Sequence, residues 1–247
     1  MSQSKKLTVL GHIRELRGRL IKCVIAFIIT SAASLFLFEP IMAVLKAPAG
    51  DVQLIFIEVT EGIGVYMRVC LVTGIIIAMP YFIYQLLMFI TPALTRSERR
   101  MVYMVLPWVT IMFAGGVAFG YYVLIPPATK FLLTFGGDIA VAQIRVGNYV
   151  TFVSRLLLAI GLVFELPVLT TFLARIGVVT SQWLASKRRI AIVFAFVLSA
   201  VITPTIDPFN QGLVAIPLII LYEMGIWLAK LVQKKKAPEP VPAAGGE

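Results

Sequence analysis

Three carboxylates stand in company that carboxylates normally avoid. Glu15 lies among Arg14, Arg17 and Arg19, and Glu98 immediately precedes Arg99 and Arg100. An ionised carboxylate is an acceptor-only group, and either acid could pair locally. Glu15 with Arg19 at i,i+4 makes an ordinary helix salt bridge, and Glu98 suits the positive end of a helix that starts there. Glu165 is the third. It is ten residues from both Arg155 and Arg175, near the middle of a long apolar run. Burying a charge at such a place costs at least ~2.5 kcal/mol even on lenient insertion scales, so the side chain must face protein or water. Pro167 lacks an N–H and would free the carbonyl of Val163, adding a second polar group to the notch. Glu165 is then either a neutral, structurally satisfied side chain or a place where another helix or a polar signal residue docks.

The elements that must position these acids follow from composition. Of the 247 residues, 60% are hydrophobic and 14% charged, with a mean hydropathy of +0.94. A soluble domain is nearer ~45–50% apolar and ~25% charged, so the chain belongs in a membrane. Long apolar blocks instead of strict alternation select spanning helices over an outer-membrane barrel. Six blocks are expected to span: 20–38, 69–90, 101–125, 156–174, 190–203 and 213–229, the last two short for a core of about 30 Å. The predicted fold is a single all-α membrane domain over 1–233. An amphipathic lead, Leu7, Leu10, Ile13, Leu16 and Leu20, is expected at the membrane surface. The tail 234–247, three lysines followed by Pro, Ala and Gly, is expected to be disordered.

An even span number places both termini on one side. Of the 22 lysines and arginines, 17 fall in the N-terminal arm, the second and fourth connections and the tail. The excess of cations marks the cytoplasmic face, which predicts an N-in/C-in multi-pass protein. The other face holds Lys46, Arg68, Lys130, Arg145 and Arg155. Cys23 and Cys70 should lie near opposite faces, which argues against a disulfide. The net charge of +10 does not indicate nucleic acid, because the cations sit in short clusters where lipid head groups compete for them.

Catalysis finds no support in the motifs. The sequence contains no GxxxxGK[ST], HExxH or GxSxG pattern, and its one histidine, His12, lies in the N-terminal arm. Asp51, Asp138 and Asp207 all fall in outer connections, so an intramembrane aspartyl pair is unavailable. No cofactor or metal is expected. The competing transport reading is a proton-coupled solute carrier with Glu165 as proton carrier and Arg68 or Arg155 as its partner. It predicts internal inverted repeats, and spans one to three show no convincing correspondence with spans four to six. Gly116 and Gly120 form a GxxxG better suited to packing within the chain than to seating a partner.

An ordered set of fragments resembles the TatC family, the core subunit of the twin-arginine translocase. The fragments are His12-Ile-Arg-Glu-Leu-Arg17 with Arg19, Phe89-Ile-Thr-Pro-Ala-Leu94 with Ser97-Glu-Arg-Arg100, Phe164-Glu-Leu-Pro167, and Thr203-Pro204 followed by Asp207 and Gln211. Ala215-Ile-Pro217 and Tyr222-Glu223 complete it. One departure is visible, Thr203-Pro-Thr-Ile-Asp207 where the family usually reads Thr-Pro-Pro-Asp. The resemblance implies a bacterial cytoplasmic-membrane receptor for the twin-arginine signal peptides of folded cargo. It also implies assembly with TatB-like and TatA-like single-span proteins, self-association in a larger complex, and use of the proton-motive force. The implied signal-binding residues are Glu15, Glu98, Arg17, His12 and Phe89, with Gln85 shaping the site. Glu165 and Pro167 would be a deeper contact for signal or partner, and Pro48, Asp207 and Gln211 would shape the outer loops. A paired-guanidinium code needs acceptor-only groups, since a planar fork can be gripped bidentately and an ammonium cannot. The surrounding arginines would repel cationic peptides that cannot pair closely with those acids.

Overall fold

The computed structural model describes residues 9–50, 54–91, 96–134, 143–203 and 207–233. From Val9 onward the N-terminal lead does not lie apart from the first span: both belong to one continuous helix, α1 (Val9–Phe36). A short α2 (Phe38–Lys46) and a single tight turn over Ala47–Ala49, with Pro48 in it, lead to a two-residue strand, β1 (Leu54–Ile55). Helix α3 (Glu61–Ile90) begins at Glu61 instead of Val69. Helix α4 (Arg96–Phe119) passes through one widened turn, Gly120–Leu124, into α5 (Ile125–Thr134), so the third apolar block continues past Ile125.

Strand β2 (Ile144–Arg145) feeds α6 (Val146–Phe164) directly, which starts the fourth span ten residues ahead of Leu156. At Glu165 the helix is interrupted for one residue and resumes as α7 (Leu166–Arg175), with Pro167 in the first turn, where no N–H is needed. Helices α8 (Ser181–Ser186), α9 (Arg188–Ile202) and α10 (Pro208–Val232) complete the order.

Among the described residues, five helical stretches are long and apolar enough to cross a membrane: Gly11–Phe36, Glu61–Phe89, Val102–Thr134, Val146–Arg175 and Pro208–Val232. The block expected as span five is α9, whose 15 residues reach only about 22 Å. The last helix is not short. Its 25 residues reach about 38 Å, because Asp207 caps its start and Pro208 takes a first-turn position. The Asp207 side chain accepts the Asn210 N–H at 2.7 Å, which lets the helix begin in a polar stretch that hydropathy alone excludes.

The core centres on α6. Val150, Val153, Leu156 and Ile160 are completely enclosed by α3, α4, α9 and α10. Gly116 and Gly120 do pack within the chain: a β-carbon at Gly116 would fall 2.8 Å from the Phe164 side chain, and one at Gly120 3.3 Å from Leu157. Helix α1 is the exception, since it packs chiefly on α3 and leaves Ile21, Ile25, Ile28 and Ile29 exposed. Such a face is stable only against lipid or another apolar helix.

A feature absent from the sequence reading ties together the connections that precede α3 and α6. Strands β1 and β2 pair in parallel, Leu54 beside Ile144 and Ile55 beside Arg145. Cys23 and Cys70 are both free thiols. The tail 234–247, Lys5, Lys6, Leu7, Asp51, Asp138, Pro204 and the side chains of Leu10 and Glu98 lie outside the described residues.

Candidate functional site

The N-terminal turns of α1 lie against the C-terminal turns of α3, and this seam gathers several of the sequence candidates. The His12 ring stacks on Phe89 with centroids 4.3 Å apart and planes 29° from parallel. One turn along α1, Glu15 Oε1 accepts from Arg19 Nη2 at 2.6 Å and from Nε at 3.1 Å. Arg19 also reaches across to α3, donating from Nη1 to Gln85 Oε1 at 3.3 Å. Gln85 is itself buried and donates from Nε2 to the Tyr81 hydroxyl at 2.7 Å. The i,i+4 spacing of Glu15 and Arg19 on one helical face makes their pair local, whereas the link to Gln85 depends on how the helices cross.

The pair is neither buried nor free in solvent: the side chains of Arg19 and Glu15 are 20% and 24% exposed. A small hollow of about 200 Å³ adjoins it, lined by Leu16, Leu20, Cys23, Phe82, Leu86 and Phe89. Arg17 is exposed on the same end of α1. Glu98 is the third residue of α4, the helix that follows α3 at this end of the bundle, and its side chain is outside the described part.

Glu165 lies elsewhere, at the joint of α6 and α7, and is 1% exposed. The Phe113 backbone approaches its carboxylate, yet neither oxygen makes a hydrogen bond of full geometry. No cation faces it among the described residues. Arg155 is exposed, and Arg68 donates to the Thr151 hydroxyl and to the Gly147 carbonyl at 3.3 Å. The apolar groove nearby, about 500 Å³, is lined by Val163, Leu166, Phe194, Leu198 and Leu218, with Lys187 at its edge.

The outer-loop candidates hold the far end of the bundle together. The Pro48 carbonyl accepts from Thr129 Oγ1 at 3.5 Å. Asp207 caps α10, and Gln211 joins α9 to α10, donating to the Phe196 carbonyl at 3.3 Å and accepting at its own carbonyl from Ser199 Oγ at 2.6 Å. These residues are remote from the His12–Phe89 seam.

One charged cluster at this far end of the bundle escaped the sequence reading. Glu61, with a side chain 4% exposed, takes Arg145 Nε at 3.0 Å and the Gly147 N–H at 2.8 Å on Oε1, and the Ile57 N–H at 3.0 Å on Oε2. Glu58 takes Arg145 Nη2 at 2.9 Å. The hydrogen bonds that Arg145 donates to Glu61 and Glu58 push its guanidinium further up from its already high pKa. The available signal was Glu61 at the head of an apolar run, where an acid suits the positive end of a helix.

Residues 11–217 match the family model described as Sec-independent protein translocase protein (TatC). The TatC protein of Carboxydothermus hydrogenoformans is 35% identical over 236 residues, covering 95% of this chain and 97% of that protein. The Aquifex aeolicus TatC is 39% identical over 231 residues, covering 91% of this chain and 95% of that protein. A crystal structure described as the twin-arginine translocase receptor TatC superposes with a TM-score of 0.80 at 39% identity, covering 90% of this chain and 99% of that one. The fold, an all-α membrane architecture, is the same, and members of this family are translocase receptor subunits and not enzymes. The helical bundle, the seam between α1 and α3 and these likenesses together place the chain in the TatC family.

Proposed function

We propose that this TatC-family chain captures twin-arginine signal peptides of folded cargo on the α1–α3–α4 end of the bundle, with both termini in the cytoplasm of a bacterial cell. Glu15 and Glu98 receive the two guanidinium groups, while His12, Arg17 and Phe89 shape the entrance. The observation that carries this reading is the Glu15–Arg19 pair: the carboxylate already holds a planar guanidinium at 2.6 and 3.1 Å in a partly dry seam. The same seat suits a ligand arginine better than a ligand lysine. TatB-like and TatA-like single-span proteins and further copies of the chain would cover apolar faces such as that of α1, and the proton-motive force would drive export.

The proton-coupled carrier is the weaker reading. Glu165 has no cationic partner among the described residues, and neither Arg68 nor Arg155 faces it. A charge-assisted contact is worth ~1.5–3 kcal/mol, and about 1.4 kcal/mol is tenfold in binding. Glu15→Ala or Glu98→Ala is therefore expected to weaken capture of an Arg-Arg signal about tenfold or more. Unchanged cross-linking of the signal in both variants would refute the assignment.

A further inference from the structure

The carboxylate assigned to the ligand is not vacant. Arg19 places both of its contacts, Nη2 at 2.6 Å and Nε at 3.1 Å, on the single oxygen Oε1 of Glu15. Oε2 carries no protein hydrogen bond among the described residues. A guanidinium that binds bidentately uses both oxygens in parallel, so it can seat on Glu15 only if Arg19 leaves Oε1. A second cation entering beside a retained Arg19 would meet a like charge at contact distance. Gln85 gives the displaced side chain a place to go, because Arg19 Nη1 already reaches Gln85 Oε1 at 3.3 Å on the neighbouring helix.

We infer that Arg19 is an internal stand-in for the ligand guanidinium, a latch on Glu15 that raises the affinity threshold an incoming cationic leader must exceed. The inference rests on the proposed role of Glu15 and adds to it a residue that sets the overall affinity of the site. A site that is competent only in a fraction of molecules binds with an affinity reduced by that fraction. The latch therefore weakens every leader by one common factor. It leaves the ratio between Arg-Arg and Lys-Lys leaders unchanged but moves the weaker one below useful occupancy. A partly exposed i,i+4 pair spans about 0.2–1 kcal/mol, which corresponds to a factor of roughly 1.5 to 5.

The test measures binding of a synthetic Arg-Arg leader and its Lys-Lys counterpart to the membrane complex containing the full chain. Arg19→Lys keeps the positive charge and removes the fork, so a gain cannot come from relieved long-range repulsion. The expected result is tighter binding of both leaders, about twofold for Arg19→Lys and up to about fivefold for Arg19→Gln, with their ratio constant. Unchanged or weaker binding of the Arg-Arg leader in Arg19→Lys would overturn the latch and make Arg19 a support or a direct contact. Glu15→Ala, measured in parallel, separates the two levels. If it leaves binding intact, the proposed role of Glu15 itself fails; if it weakens binding about tenfold or more while Arg19→Lys brings no gain, only the latch fails.

Discussion

Gly74 of α3 and Ser31 of α1 meet backbone to backbone: a β-carbon at Gly74 would stand 2.8 Å from the Ser31 Cα and N and collide with its hydroxyl. Thr30 Oγ1 donates to the Gly74 carbonyl at 2.8 Å across the same crossing. Since α1 packs chiefly on α3, this single close approach sets where the far end of α1 can lie, and with it the His12–Phe89 stack and the Glu15–Arg19–Gln85 chain.

Gly74→Ala is therefore expected to force the helices apart, because backbone atoms cannot yield as a side chain can. Overpacking of this kind costs about 1–3 kcal/mol. Thermal unfolding of the purified chain should show that loss together with weakened leader binding. Gly115→Ala, where nothing lies within 4 Å of the added carbon, should be neutral or slightly stabilising in the same assay.

At the end of the bundle opposite the seam, Glu61 satisfies three backbone N–H groups and Arg145 at once, tying residues 57–61 to 145–147. Glu61→Ala should lower the unfolding temperature and increase proteolysis of the connections that flank β1 and β2, whereas Glu61→Gln, which keeps the acceptor, should be milder. Leader binding at the opposite end should change little in either. Equal stability of Glu61→Ala and the parent would show that the parallel strand pair holds without it.

Glu165 offers a separation of stability from function. Its carboxylate is enclosed and unpaired, so Glu165→Leu should leave the fold as stable or more so, by roughly 1–3 kcal/mol of relieved desolvation. Transport and partner cross-linking should nevertheless fall in Glu165→Leu and less so in Glu165→Gln. Normal transport and cross-linking in both would reduce the residue to a packing detail.

What the sequence made legible was local. Long apolar blocks announced spanning helices because hydropathy is summed along the chain, and the i,i+4 spacing announced the Glu15–Arg19 pair. The mid-span position of Glu165 marked it as a side chain that must face protein or water, whereas the helix break beside Pro167 was not foreseen. Starts of helices were misjudged wherever a distant group neutralises a charge. Helix α3 absorbs Glu61 and Arg68 because Arg145, Gly147 and Thr151 satisfy them, and α10 runs from Pro208 because Asp207 caps it. Gln85 was marked only by the family resemblance, since its place beside Arg19 follows from the crossing at Gly74. A strand pair two residues long leaves no periodicity to read.

The most direct measurement places a photoreactive side chain next to the arginine pair of a model leader and maps where it attaches to the assembled complex. The account predicts attachment to α1 around Glu15 and to the start of α4 around Glu98, lost when the leader arginines become lysines. Attachment confined to α9 and α10, or equal labelling by the lysine leader, would contradict it.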